Sequence, residues 1–268
     1  MSATASTPNT KPSQLQIMSS FQIFSSLRYD PSLPEASNAG CNAQHNSCYY
    51  LLPFHHNRLI RAATHFQWPQ ALAFLEGRDL ARELDGFIPD RTKPWRLRIT
   101  LNCNGDFSVE ANPAAPVPAT NFLIPTSKST LPVWRVHVDS MQPVQPSAFT
   151  THKTTVREQY NAARLRMGIL SLTEPAEVLV TNARGEVMEG SITTPYFRSR
   201  SPTAHEWITP PLSSGGNAGT TRRFALALGF CREEVIHASD LVDGEECWLS
   251  NGVRGFIPGV VVHHLRNI

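Results

Sequence analysis

The segment that decides the fold is His152–Arg164, HKTTVREQYNAAR, where a lone lysine precedes a predicted helix. Before it, residues 111–150 are rich in proline and carry one embedded alternating strand, VWRVHVD. After it, apolar spacing predicts a helix from Thr154 to Gly168. A lysine near a helix start is most often a solvated surface charge, so its neighbours must show whether Lys153 has a chemical role.

The composition describes a folded protein without a strong charge bias. With 268 residues and 41% hydrophobic residues, the chain can form one large domain or two modest ones. The net charge of +2 is too small to favour a nucleic-acid or membrane partner. Five cysteines without a CxxC pair indicate neither a disulfide framework nor a zinc site, so no metal is expected. The sequence shows no signal peptide and no long apolar run, which predicts a cytoplasmic protein.

Patterning in the first half predicts a small mixed domain. The polar opening, residues 1–19, is expected to be a disordered tail. FQIFSSLRY and CYYLLPF are predicted strands, HHNRLIRAATHF and PQALAFLEGRDLARELDGF are predicted helices, and PWRLRITLNCNGDFSVEA is a predicted hairpin. We place a small N-terminal α/β domain at residues 20–139, an interdomain linker at 140–150 and a larger C-terminal α/β domain at 151–268.

The second half has an α+β pattern with two features that suggest chemistry. Strands are predicted at EVLVTN, EVMEGSITTPYF, EWITPP, EEVIHA and ECWLSNGVRGFIPGV. A Gly-rich loop, SSGGNAG, opens the helix TTRRFALALGF, and backbone N–H groups at such a helix start can hold a phosphate, although the P-loop spacing is absent. Glu189 interrupts an apolar strand, so it either faces water or is buried beside a cation.

The order of these features resembles the class IV aminotransferase family, the fold type IV enzymes that use pyridoxal 5′-phosphate. The resemblance rests on Lys153, Glu189, the helix start Gly219-Thr220-Thr221-Arg222 and the late LSNGVRGFIPG, and it runs from about Phe21 to Pro258. It implies the two-domain α+β fold of D-amino acid aminotransferase, a homodimer and a small-molecule amine substrate.

The resemblance assigns three residues to the chemical end of the cofactor. Lys153 matches the lysine that bonds covalently to the cofactor, and Glu189 in MEGS matches the glutamate that keeps the pyridine nitrogen protonated. Tyr160, on the lysine's helix, matches a tyrosine that touches the cofactor. Where relatives carry an asparagine after the glutamate, this chain has Thr193-Thr194.

The resemblance also assigns the phosphate end. Arg58 in HHNRL matches the family's phosphate-binding arginine, and Thr220 and Thr221 match its GITR helix start. Gly252 replaces the last serine of the SNS motif of aminodeoxychorismate lyases, so it would offer only a backbone N–H.

Within the family, the chain is most similar to aminodeoxychorismate lyase-like proteins, through FSSLRY, LRITLNCNGDF and LSNGVRGFIPG. This implies a folate-pathway lyase that releases pyruvate and 4-aminobenzoate. Ser26 would help to protonate the leaving pyruvate, and Arg28, on the same strand face, would receive a substrate carboxylate. Ser26 is equally explained as a half-buried strand serine. The alternatives are an aminotransferase of a branched-chain amino acid, a D-amino acid or an amine, and a non-catalytic relative.

Overall fold

The computed structural model describes residues 21–34, 47–126, 133–201 and 206–263 of the chain. The predicted tail at 1–19 lies outside these residues. The helices are α1 to α6, at Leu52–His65, Pro69–Glu76, Leu80–Asp85, Ala148–Thr151, Glu158–Arg166 and Thr220–Ala227. The strands are β1 to β11, at Ile23–Tyr29, Trp95–Leu101, Phe107–Pro113, Trp134–Asp139, Ala176–Thr181, Val187–Gly190, Thr194–Arg198, Trp207–Thr209, Cys231–Glu233, Glu246–Asn251 and Gly255–Val261.

The strands form two sheets. A three-stranded antiparallel sheet has the order β1-β2-β3, and an eight-stranded mixed sheet has the order β6-β5-β4-β11-β10-β7-β8-β9. Helices α1 to α3 cover the small sheet, and Leu27, Leu59 and Ile99 are fully buried between them. The predicted mixed α/β fold is confirmed. None of the helices in the described part of the chain has the length and apolar content needed to cross a bilayer.

The first half differs from the prediction at two places. CYYLLPF is not a paired strand: only Tyr49 bridges to Tyr29, and α1 begins at Leu52, because a proline in the first helical turn has the right backbone angle and no N–H to leave unpaired. The long helix predicted over PQALAFLEGRDLARELDGF is two helices, since the Asp79 side chain accepts from the N–H of Ala81 at 2.9 Å and starts α3 anew.

Strand β4 belongs to the larger sheet, although the sequence placed its residues with the small domain. It pairs in parallel with both β5 and β11. Its residue Val136 is fully buried in the hydrophobic core that packs against the larger sheet. The alternating pattern of VWRVHVD predicted the strand but carried no information about its partners. The predicted hairpin is present as β2 and β3, with Gly105 in its turn at φ +82°.

The helix after Lys153 begins later than predicted, at Glu158. The preceding residues are held in an extended conformation against β1: the Phe24 N–H donates to Lys153 O at 2.9 Å, and the Thr155 N–H donates to Gln22 O at 2.9 Å. These bonds give Lys153 a fixed backbone position at the junction of the two sheets.

Candidate active site

A cavity of about 340 Å³ lies between the two sheets, within the size range of small-molecule sites. Its wall contains eight of the nine residues that the sequence selected: Ser26, Arg58, Lys153, Tyr160, Glu189, Thr220, Thr221 and Gly252. These residues come from separate parts of the chain, and the fold brings them together. Arg28 does not line the cavity.

Lys153 presents its amino group to the cavity from the extended segment before α5. The Nζ atom lies 5.0 Å from the centre of the Phe24 ring. Burial, together with the nearby Arg157 and Arg58, lowers the pKa of Lys153 well below its usual range, against the opposing effect of Glu189. This shift favours the neutral amine, the form that acts as a nucleophile or accepts a proton.

Glu189 lies opposite the lysine on β6. Its Oε1 accepts a hydrogen bond from the Tyr160 hydroxyl at 2.5 Å. Burial raises the pKa of Glu189, while Tyr160, Lys153 and Arg157 oppose that rise. Glu189 is half-buried in the cavity wall with Lys153 and Arg157 nearby, which favours the alternative that places it beside a cation.

The loop before α6 packs directly on β6 at this point. A Cβ atom at Gly216 would lie 2.3 Å from Met188 O and 3.3 Å from the Cβ of Glu189. Only glycine allows this approach, which sets the backbone of the loop against the strand that carries Glu189.

A second part of the cavity wall offers donors for an anion. Arg58 reaches it from α1, and the N-terminus of α6 points at it. The Arg58 Nε and Thr220 Oγ1 atoms are buried and have no hydrogen-bond partner among the described residues. Burial lowers the pKa of Arg58 to about 10, so it stays charged at neutral pH.

These two parts of the wall fit pyridoxal phosphate. The amine of Lys153 and the carboxylate of Glu189, both half-buried, suit the aldehyde and the ring nitrogen, and the arginine with the helix start suits the phosphate. The orphaned atoms of Arg58 and Thr220 lie where the phosphate needs donors. Lys153, Glu189, Tyr160, Arg58, Thr220 and Thr221 are the residues that would hold the cofactor.

The structure corrects the expectation for Arg28. Its guanidinium is buried and donates from Nε to Asp30 Oδ2 at 2.8 Å and from both Nη atoms to Ala115 O at 3.1 Å. It also packs over the Phe122 ring. The period of two placed Arg28 on the same strand face as Ser26, but Asp30 two residues further on neutralises it, so it cannot receive a substrate carboxylate.

Two groups of residues escaped the sequence analysis. Arg96 and Arg98 of β2 line the cavity, and their alternation in RLRITL was a visible signal. No pattern in the sequence marks Glu177 of β5 as a functional residue, because its partners lie in the turn after β6, more than ten residues later in the chain.

Glu177 orders the turn after Glu189. It is fully buried and accepts from the N–H of Ser191 at 3.0 Å, the N–H of Ile192 at 3.1 Å and the Thr193 hydroxyl at 2.7 Å. Thr193 stands in the region where relatives carry an asparagine, and it binds this internal carboxylate.

The fold and the site together define a pyridoxal-phosphate protein of fold type IV. The chain belongs to the class IV aminotransferase family, whose sequence model matches residues 41–261.

Three relatives show the range within this family. Aminodeoxychorismate lyase of Saccharomyces cerevisiae is 33% identical over 193 residues, which cover 62% of this chain and 51% of the yeast protein. The chain thus spans about half the length of that relative. A proposed aminodeoxychorismate lyase of Schizosaccharomyces pombe is 24% identical over 85% of this chain and 91% of its own. The structure of a proposed amino-acid aminotransferase from Mesorhizobium loti superposes with a TM-score of 0.66 at 26% identity, over 90% of this chain and all of the other.

Proposed function

We propose that the protein is a pyridoxal-phosphate-dependent lyase that converts 4-amino-4-deoxychorismate into pyruvate and 4-aminobenzoate, a step of folate biosynthesis. The observation that carries the proposal is the 33% identity to the yeast lyase. A lysine with a lowered pKa, a glutamate with a raised pKa and Ser26, all lining one cavity, support it.

The reaction needs one proton to be removed and one to be delivered. The bound cofactor supplies an electron sink for the carbon that carries the substrate amine. Lys153, whose lowered pKa favours a neutral Nζ atom, takes the proton from that carbon. The ether C–O bond then breaks, the ring becomes aromatic, and the methylene carbon of the leaving group gains a proton, a step in which the Ser26 hydroxyl assists. Substrate and products balance without an oxidant.

The second candidate is an amino-acid aminotransferase, which the similarity to the Mesorhizobium loti protein favours. Both reactions begin with the same proton removal by Lys153, so the residues around the cofactor do not separate them. The purified protein should release pyruvate and 4-aminobenzoate from aminodeoxychorismate. Formation of keto acids from a panel of L- and D-amino acids, with no 4-aminobenzoate from aminodeoxychorismate, would overturn the lyase proposal in favour of the aminotransferase.

The roles of Lys153 and Arg58 have a direct test. Lys153→Ala should abolish turnover yet still bind the cofactor non-covalently, whereas Arg58→Ala should lose cofactor on dialysis, because a charge-assisted hydrogen bond contributes about 1.5–3 kcal/mol. Lys93→Ala is the matched control, since Lys93 is an exposed lysine paired with Asp90. Full turnover in Lys153→Ala, or parental retention of cofactor in Arg58→Ala, would contradict these assignments.

We also propose that the protein is a homodimer. The support is the family resemblance and three exposed leucines, Leu165, Leu170 and Leu172, the last of which lines the cavity, whose apolar surface a second copy would cover. Light scattering should give twice the chain mass, and a fully active monomer would contradict the proposal. The cytoplasmic location remains a prediction from the sequence.

A further inference from the structure

Two arginines of one strand face the cavity and have no acidic partner among the residues that the structure describes. Arg96 and Arg98 are two residues apart on β2, so their side chains share a face. Both are half-buried, and the Nε atom of each is buried without a hydrogen-bond partner among the described residues. Glu110 lies opposite Arg98 on β3, but it is exposed and forms no ion pair with that arginine in the described part of the chain.

Strand register places Arg98 close to the reacting groups. It pairs with Ser26 of β1, and its guanidinium lies 4.8 Å from the centre of the Phe24 ring. The same ring lies 5.0 Å from Lys153 Nζ. One aromatic side chain therefore contacts both the lysine and this arginine, which brings Arg98 to the chemical end of the cavity.

Arg96 lies one pleat further from that end, about 7 Å along the strand. Arg254, in the turn between β10 and β11, is near it and also lines the cavity. Burial, followed by the positive charge of Arg96, lowers the pKa of Arg254. Because Arg254 already donates to Leu172 O at 3.0 Å and packs over Trp134, Arg96 has the freer guanidinium of the two.

Half-buried cations without counter-charges are unfavourable in the folded protein unless an anion joins them. Arginine forms bidentate hydrogen bonds with carboxylates. Two such groups on neighbouring pleats of one strand face match a ligand with two separate carboxylates better than an amino acid with one.

We propose that Arg96 and Arg98 form a dicarboxylate subsite that selects the substrate. This inference rests on the proposed function. Arg98, beside Ser26 and Lys153, binds the carboxylate of the departing three-carbon group, and Arg96 binds the ring carboxylate on the far side from the amine.

Chorismate is the probe, because it has both carboxylates of aminodeoxychorismate but a hydroxyl in place of the amine. We would measure its dissociation constant for the cofactor-loaded protein by calorimetry, beside 4-hydroxybenzoate, which has the ring carboxylate alone. Arg96→Gln and Arg98→Gln should each weaken chorismate tenfold or more, the size of one charge-assisted hydrogen bond. Arg96→Gln alone should weaken 4-hydroxybenzoate.

The control is Arg135→Gln, an exposed arginine on β4 that does not line the cavity. Each variant should keep the cofactor absorbance of the parent, which shows that the site is intact. Less than tenfold weakening of chorismate by either variant, or equal weakening of 4-hydroxybenzoate by both, would overturn the proposal. If aminodeoxychorismate is not converted while chorismate binding depends on both arginines, the proposed reaction fails and the subsite stands.

Discussion

Gly252 and His55 form a tight contact behind the cavity, and an added methyl group tests it. In Gly252→Ala, the new Cβ atom would lie 2.5 Å from His55 Cε1, 2.6 Å from His55 Nε2 and 2.9 Å from Ser26 O. The ring has little freedom to move, because it is fully buried and its Nδ1 is hydrogen-bonded to Ser25 Oγ at 2.7 Å. Either the ring or β1 must shift.

Overpacking of this kind costs about 1–3 kcal/mol. For a chain of this size, each kcal/mol lowers the melting temperature by about 2–4 °C, so Gly252→Ala should melt about 2–12 °C below the parent. Gly86→Ala is the control, since its Cβ would meet nothing closer than Glu83 O at 3.8 Å. Its melting temperature should stay near the parental value.

The assay is thermal unfolding of the two single variants and of Gly252→Ala in a His55→Ala background. Removing the imidazole eliminates two of the three close contacts, so the cost of the added methyl group should fall by at least half. Gly252→Ser, which restores the serine of the lyase motif, should be no more stable than Gly252→Ala. An unchanged melting temperature in Gly252→Ala, or the same cost with and without His55, would refute this account of the glycine.

Three further predictions concern buried polar groups. Asp30→Asn should destabilise the protein by about 3–5 kcal/mol in chemical denaturation, because it leaves Arg28 buried and unpaired, and a loss below 1 kcal/mol would contradict the ion pair at 2.8 Å. Tyr160→Phe should raise the pKa of Glu189 further, because the Tyr160 hydroxyl donates a hydrogen bond that stabilises the ionised carboxylate and the variant lacks it. Infrared spectra of the variant that show no increase in protonated carboxyl would count against this. Burial, and then the nearby His65, lower the pKa of His152 to about 4 in the folded chain. Below about pH 6.5, His152 therefore binds a proton in the unfolded chain but not in the folded chain. The contribution of His152 to stability is therefore complete above about pH 6.5 and is lost as the pH falls towards 4. His152→Asn should reduce the fall in melting temperature over this pH range, and a fall equal to that of the parent would exclude His152 as its cause.

Local sequence patterns were sufficient for the parts of the site that lie within one element. Lys153 and Glu189 each have a short motif around them, and the Gly-rich start of α6 is visible as a loop before a helix. Their side chains all reach the same cavity. The start of α5 was not predictable in this way, because hydrogen bonds to Gln22 and from Phe24, more than 120 residues earlier, keep residues 153–155 extended.

The arginines of the small sheet show more clearly that a local pattern does not reveal long-range partners. Periodicity correctly placed Arg28 and Ser26 on one face, yet the function of an arginine depends on its partner. Asp30 neutralises Arg28, whereas Arg96 and Arg98 pair with no acid in the described part of the chain. The register of β1 with β2, which puts Arg98 beside Ser26, decides this and cannot be obtained from either strand alone.

The arginines that line the cavity differ in whether the protein gives them a hydrogen-bond acceptor. Arg157 and Arg164 donate to Ser191, the latter at 3.0 Å to its hydroxyl, so they hold the turn after Glu189 in place. The Nε atoms of Arg96 and Arg98 have no such acceptor in the described structure, and among the described residues that line the cavity Glu189 is the only acid. Unpaired half-buried cations lower the stability of the free protein, and anions that bind only the folded chain restore it. The pKa of Lys153 is lowered first by burial and then by Arg157 and Arg58, so the arginines that act on the lysine are different from the two that would bind the substrate carboxylates.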